Sequence, residues 1–274
     1  MTLSLAVHAF LGLGAVLVVG AASQARAEQS LKSKLQSAAE RRIFFGHQSV
    51  GLNLLEGMQQ LAKREGVSLR IVEARPPGVD AGTLAHAAME ENGDPLKKLR
   101  SFKRAFTSGA AAGADLAFLK FCYVDITADT DVSALFAAYR TTMAEVQAAS
   151  PGTTFLHVTA PLQSVEGGIR GRLKRVLGRP LGGTAHNARR EEFNELLRRE
   201  YEGKAPLFDL ARVESTRPDG SFETAPWNGR EVRALVPAYT EDGGHLNGEG
   251  QLRAAEALVS VIASPGRPAP TATR

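Results

Sequence analysis

Two short segments carry the residue types from which acyl-transfer chemistry is built. The first, Phe44-Phe45-Gly46-His47-Gln48-Ser49-Val50-Gly51, takes an apolar strand into a glycine, a sharp turn and a serine, and then into a helical pattern. A serine placed there exposes its hydroxyl at a helix N-terminus, where backbone N–H groups can stabilise a developing oxyanion. The same position also suits a serine that only caps the helix. The second segment, Asp242-Gly243-Gly244-His245-Leu246-Asn247, sets a carboxylate three residues before an imidazole in a glycine-rich loop. That spacing lets the carboxylate orient one ring nitrogen and stabilise the imidazolium while the other nitrogen works as a base. Taken alone, it is equally an Asx turn followed by a surface histidine.

Such residues need a scaffold that brings position 49 to position 245. Five short apolar runs read as strands: Ile43–Phe45, Leu69–Val72, Leu116–Phe121, Phe155–Thr159 and Leu207–Leu210. They scarcely alternate, as strands of a parallel sheet buried on both faces do not. Between them lie helical spacings. Leu54, Leu55, Met58, Leu61 and Ala62 form one; Leu96, Leu99, Phe102 and Phe106, opened by Asp94-Pro95, form another. Val132 to Val146, Phe193 to Tyr201, and Leu252 to Ile262 with Asn247 as cap supply three more. Strand and helix alternate, which predicts an α/β class: a three-layer α/β/α sandwich, flavodoxin-like, with a five-stranded mostly parallel sheet. Ligands in such sheets bind beyond the carboxyl ends of the strands. There too falls a basic stretch, with Arg170, Arg172, Lys174, Arg175, Arg179, Arg189 and Arg190 and no acidic residue between 169 and 190. It reads as a solvated loop, or else as a lid or an anion-attracting rim.

Taken together, the serine after the first strand and the Asp242-x-x-His245 before the last helix resemble the SGNH/GDSL hydrolase superfamily, from about Ile43 to Ile262. The last block, through Asn247 and Gly250, is the specific match. The family's Gly-Asp-Ser-Leu stands here as Gly46-His47-Gln48-Ser49-Val50, one residue longer between glycine and serine, as in a divergent branch. The second block's glycine corresponds to Gly93 in Asn92-Gly93-Asp94-Pro95, an oxyanion donor by this resemblance or else a plain turn glycine. In place of the third block's Gly-x-Asn-Asp stands Lys120-Phe121-Cys122-Tyr123-Val124-Asp125, without asparagine. Either Asp125 takes the block's final position or the oxyanion hole is built differently.

The resemblance implies a serine esterase of SGNH/GDSL type acting on a small-acyl ester of a small molecule or glycan. Ser49 would be the nucleophile, His245 the base and Asp242 its orienting partner, with the Ser49 amide and Gly93 facing the oxyanion. Two alternatives remain: an acyltransferase working on an envelope glycan, and a non-catalytic glycan-binding module on the same scaffold. No metal or organic cofactor is expected. There is no His-Glu-x-x-His and no Gly-x4-Gly-Lys-Ser/Thr, and the single cysteine, Cys122, rules out a Cys-rich zinc site or an intrachain disulfide. Gly46-x-x-Ser49-x-Gly51 is one residue too long for an α/β-hydrolase nucleophile elbow. Cys122 and His157 are expected as buried strand residues, and His86 and His186 as having no partner at ligand spacing.

The chain has 274 residues, 43% hydrophobic and 23% charged, which excludes wholesale disorder, collagen and coiled coil. A net charge of +4 is too small at this length to argue for nucleic acid. Residues 1–27 read as a cleaved signal peptide: an uncharged apolar run from Leu3 to Ala22, then Ala25-Arg26-Ala27 before Glu28. That expectation places a single SGNH-like domain, 28–264, in the periplasm or outside the cell, with no membrane span after cleavage. A Pro-rich disordered tail is expected at 265–274.

Overall fold

A computed structural model describes residues 30–264 apart from 178 and 180. The expected signal peptide and the expected disordered tail lie outside the described residues.

Six strands form the main sheet: β1 (Arg42–His47), β2 (Arg70–Glu73), β3 (Thr83–Ala88), β4 (Leu116–Leu119), β5 (Thr154–Val158) and β6 (Leu207–Phe208). Their order is β2-β3-β1-β4-β5-β6, and every neighbouring pair is parallel. The helices are α1 (Leu31–Ala39), α2 (Val50–Glu65), α3 (Pro95–Thr107), α4 (Val132–Ala149), α5 (Gly168–Val176), α6 (Thr184–Tyr201), α7 (Leu210–Ser215) and α8 (Gly248–Ala263). Helices α2 to α6 lie in the crossovers that parallel pairing requires, whereas β2 reaches β3 through residues 74–82 without a helix. A separate antiparallel hairpin pairs β7 (Thr224–Trp227) with β8 (Arg230–Arg233).

The unalternating strands are explained by two cores. Ile43 and Phe45 of β1 and Leu116 and Phe118 of β4 enter a core with α1, α2 and α8. The residues between them, Phe44, Ala117 and Leu119, enter a second core with α3, α4 and α6. Successive strand side chains point to opposite faces, so burial on both faces demands apolar residues at every position. The approach of α2 to α8 is close enough that a Cβ on Gly57 would lie 2.4 Å from the Gln251 carbonyl oxygen.

The α/β sandwich is as expected, but the sheet has six strands rather than five. The missing one is β3, Thr-Leu-Ala-His-Ala-Ala, which sits inside the sheet between β2 and β1. Alanine favours helices by itself, and here tertiary pairing on both edges overrides that preference. β4 stops at Leu119, so Cys122 lies beyond the strand; Leu210 opens α7 rather than ending a strand. Part of the stretch read as a basic loop is helical, as α5 and the start of α6.

Chain order places the topological switch at β1: β2 and β3 lie to one side, β4 to β6 to the other. The crevice beyond the carboxyl ends of β1, β3 and β4 is where such a sheet binds ligands.

Candidate active site

Ser49 follows β1 by two residues and occupies the N-cap position of α2, yet its side chain makes no capping hydrogen bond. The hydroxyl is therefore not used as a cap. Its Oγ lies 3.5 Å from Cys122 Sγ. Among the described residues the Ser49 N–H donates to no protein acceptor. The turn is tight: a Cβ on Gly51 would fall 2.3 Å from His47 Cβ.

The loop from Thr240 to Leu246 fixes the second element. His245 Nδ1 donates to Asp242 Oδ2 at 2.5 Å. Asp242 Oδ1 accepts the N–H groups of His245 at 2.8 Å and Gly244 at 2.9 Å. These bonds, the imidazole first, hold the Asp242 carboxyl well below the usual carboxylate range. With Nδ1 committed to the carboxylate, Nε2 is the nitrogen left to accept a proton.

The loop is held from three sides. Asn53 Oδ1 on α2 accepts the Leu246 N–H at 3.1 Å. The Ser164 N–H donates to the Gly243 carbonyl at 2.9 Å. Gly244 lies on the Tyr123 ring so closely that a Cβ would come within 2.6 Å of it. Tyr123 also meets the His245 ring edge-on, with centroids 5.6 Å apart. The Cys122-Tyr123 pair thus touches Ser49 with one residue and His245 with the next.

That pair is itself anchored. Asp125 Oδ2 accepts the Cys122 N–H at 2.6 Å and Lys98 Nζ at 2.7 Å; Lys98 and Asp125 are wholly buried. Lys98 Nζ also donates to Asn92 Oδ1 at 2.7 Å. Arg190 on α6 donates through Nε to the Tyr123 and Ile126 carbonyls, at 2.8 and 3.1 Å. Lys120 is buried with Nζ 3.7 Å from Cys122 Sγ, and burial lowers its pKa.

The sequence-derived residues fare differently. Asp242 and His245 are joined directly, and Ser49 and His245 both flank the Cys122-Tyr123 pair. The Gly93 N–H donates to Asp125 Oδ1 at 2.8 Å, so in this arrangement a carboxylate engages it. Asp125 acts as the anchor of the segment. Of the seven basic residues, Arg190 is a buried brace and Arg189 pairs with Glu192, so they do not belong to a charged rim. His157 is buried in β5, stacked on Tyr201. His86 meets His47, Nδ1 to Nε2, at 3.0 Å. The contacts of Cys122, Tyr123, Asn53 and Ser164 were not foreseen; of these, only the third-block position of Cys122-Tyr123 carried any sequence signal.

A cavity of about 1070 Å³ opens elsewhere, lined by Arg140, Phe155, His157, Glu200 and Tyr201. It also touches Thr154 and Pro206, at the amino ends of β5 and β6, so it lies away from Ser49. Among the described residues no group of three or more His, Cys, Asp or Glu side chains is placed to hold a metal ion.

No family model matches the chain, and no curated protein matches it. Solved structures do resemble it. One is a GDSL-like lipase from Bacteroides thetaiotaomicron, at 14% identity over 89% of this chain and 96% of that one, with a TM-score of 0.48. Another is a lipase/acylhydrolase from Enterococcus faecalis, at 15% identity over 83% and 99%, with a TM-score of 0.47. A salicylyl-acyltransferase from a tetracycline biosynthetic pathway is similar at 14% identity over 80% of this chain and 53% of that one, with a TM-score of 0.42.

Proposed function

We propose that this protein is a serine esterase of SGNH/GDSL type that hydrolyses a small-acyl ester. The observation that carries this reading is the Asp242–His245 pair together with a serine whose hydroxyl caps nothing, the imidazole against Tyr123 and the hydroxyl against the adjoining Cys122. Ser49 Oγ attacks the acyl carbonyl while His245 Nε2 takes its proton. Asp242 holds the tautomer and stabilises the imidazolium. The Ser49 N–H, at the start of α2, faces the oxyanion, while the Gly93 N–H stays with Asp125 and serves the anchor of the Cys122-Tyr123 segment. His245 then returns the proton to the leaving alcohol, and water repeats the sequence on the acyl-enzyme. The apolar run before Glu28 supports export to the periplasm or beyond.

The test is release of 4-nitrophenol from 4-nitrophenyl acetate together with labelling by a fluorophosphonate probe. Ser49→Ala is expected to abolish labelling and lower turnover by at least about 10³-fold. A loss of less than about tenfold would remove Ser49 from the nucleophile's role. N-terminal sequencing of protein recovered from an exporting host should read Glu28 first.

A further inference from the structure

Helix α5 turns its apolar side away from the molecule. Ile169, Leu173, Val176 and Leu177 are 86, 58, 84 and 56% exposed. At about 100° per residue they share about 100° of arc. Gly171 sits on the opposite side of the helix, buried, where a Cβ would lie 2.3 Å from the Glu166 carbonyl oxygen. The buried side of the helix at Gly171 thus lies against the backbone of Glu166, and the apolar stripe faces the opposite way, into solvent. Arg170 borders the stripe on one side and Arg172 on the other, both exposed, and Arg179 follows, also exposed. Lys174 pairs with Glu166 at the base.

The segment carrying α5 leaves the body at Glu166 and returns at Gly182. The two are joined by the Glu166 N–H to the Gly182 carbonyl and by the Gly182 N–H to the Glu166 carboxylate. Two residues before Glu166, Ser164 bonds to Gly243 in the loop that bears Asp242 and His245. The helix is thus held beside the candidate site.

We infer that α5 docks the protein on an anionic lipid surface. A nine-residue helix is too short to span a bilayer. An outward apolar stripe with basic borders is instead suited to lie in the interface, its side chains in the acyl boundary and its arginines reaching lipid phosphates. Charge complementarity selects this occupant. A second copy packed stripe to stripe would bring the same arginines together, which like-charge repulsion opposes.

Vesicle flotation tests the inference, using a chain that begins at Glu28 so that the apolar run 3–22 cannot contribute. Residues 30–264 hold both cores, so this chain keeps the fold. Binding is expected on phosphatidylglycerol-containing vesicles and should be at least about tenfold weaker on pure phosphatidylcholine. It should weaken as NaCl rises from about 0.1 to about 0.5 M. The double variant Leu173→Asp, Val176→Asp should lose at least about tenfold in binding with an unchanged melting temperature, since both positions are exposed. Absence of binding to anionic vesicles, or equal binding by the double variant, would overturn the inference, as would a dimer in solution that the double variant dissolves. Binding is read without turnover, so failure of the esterase reading and failure of this one are separable.

Discussion

At the scale of single residues, the chemistry turns on which side chains are already occupied. Asp242 accepts three hydrogen bonds from His245 and Gly244, so the imidazole has one nitrogen free and one committed. Asp242→Asn keeps the shape but favours the wrong tautomer. It is expected to lower kcat by about 10³–10⁴-fold with little change in KM, measured on 4-nitrophenyl acetate. The closeness of Cys122 Sγ to Ser49 Oγ raises the question of which atom attacks. Cys122 is fully buried, and reactive cysteines are partly exposed. Cys122→Ala should therefore retain activity to within about tenfold and still be labelled by a fluorophosphonate. Loss of labelling in that variant would move the nucleophile from oxygen to sulfur.

At the scale of elements, the segment after β4 joins the two halves of the candidate site, with Cys122 against Ser49 and Tyr123 against His245. It is held by a wholly buried ion pair to α3, Lys98 with Asp125, and by Arg190 from α6. Removing one partner of such a pair leaves a charge without compensation. Lys98→Met is expected to cost about 3–5 kcal/mol in chemical denaturation and to reduce activity in the molecules that stay folded. The double variant Lys98→Met, Asp125→Leu should recover part of the stability but not the activity, because the Cys122 N–H and Gly93 N–H lose their acceptor. A recovery of both would show that the anchor is only structural.

At the scale of the whole molecule, buried titratable groups set opposing pH dependences. Burial pushes His47 down to about 3, with the Lys120 charge adding to it, and burial does the same to His157. In the unfolded chain these rings take up protons near about 6.5. The unfolded state then binds more protons below that pH, and stability falls as pH drops from about 6.5 to about 3. Glu214 behaves oppositely: burial pushes it up to about 8 against 4.5 when free. The native state keeps a proton that the unfolded state has released, so stability falls as pH climbs through that window. Glu214→Gln should remove the alkaline loss: its melting temperature should match the wild type's near about pH 5 and exceed it near about pH 8. A wild-type melting temperature that does not fall between those pH values would contradict the assignment.

How much of this was legible beforehand depends on the range of each interaction. Helix spacings, the Asp94-Pro95 start, the Asn247 cap and the Asp242-x-x-His245 contact are local, set by residues within a few positions, and all were readable from the chain. The serine's position after the first strand was readable for the same reason. β3 was not, because its alanines become a strand only through neighbours on both edges. Nor were the Ser49–Cys122 approach, the Tyr123–His245 contact and the Lys98–Asp125 anchor, which join positions 27 to 122 residues apart in the chain. The basic stretch was visible as composition, but the fold alone divides it, burying Arg190 as a brace and turning the apolar side of α5 outward. Local backbone preference determines which segments form and which polar groups lie side by side along the chain; only the packing of two cores around a shared sheet decides which distant side chains meet and which face is left to solvent.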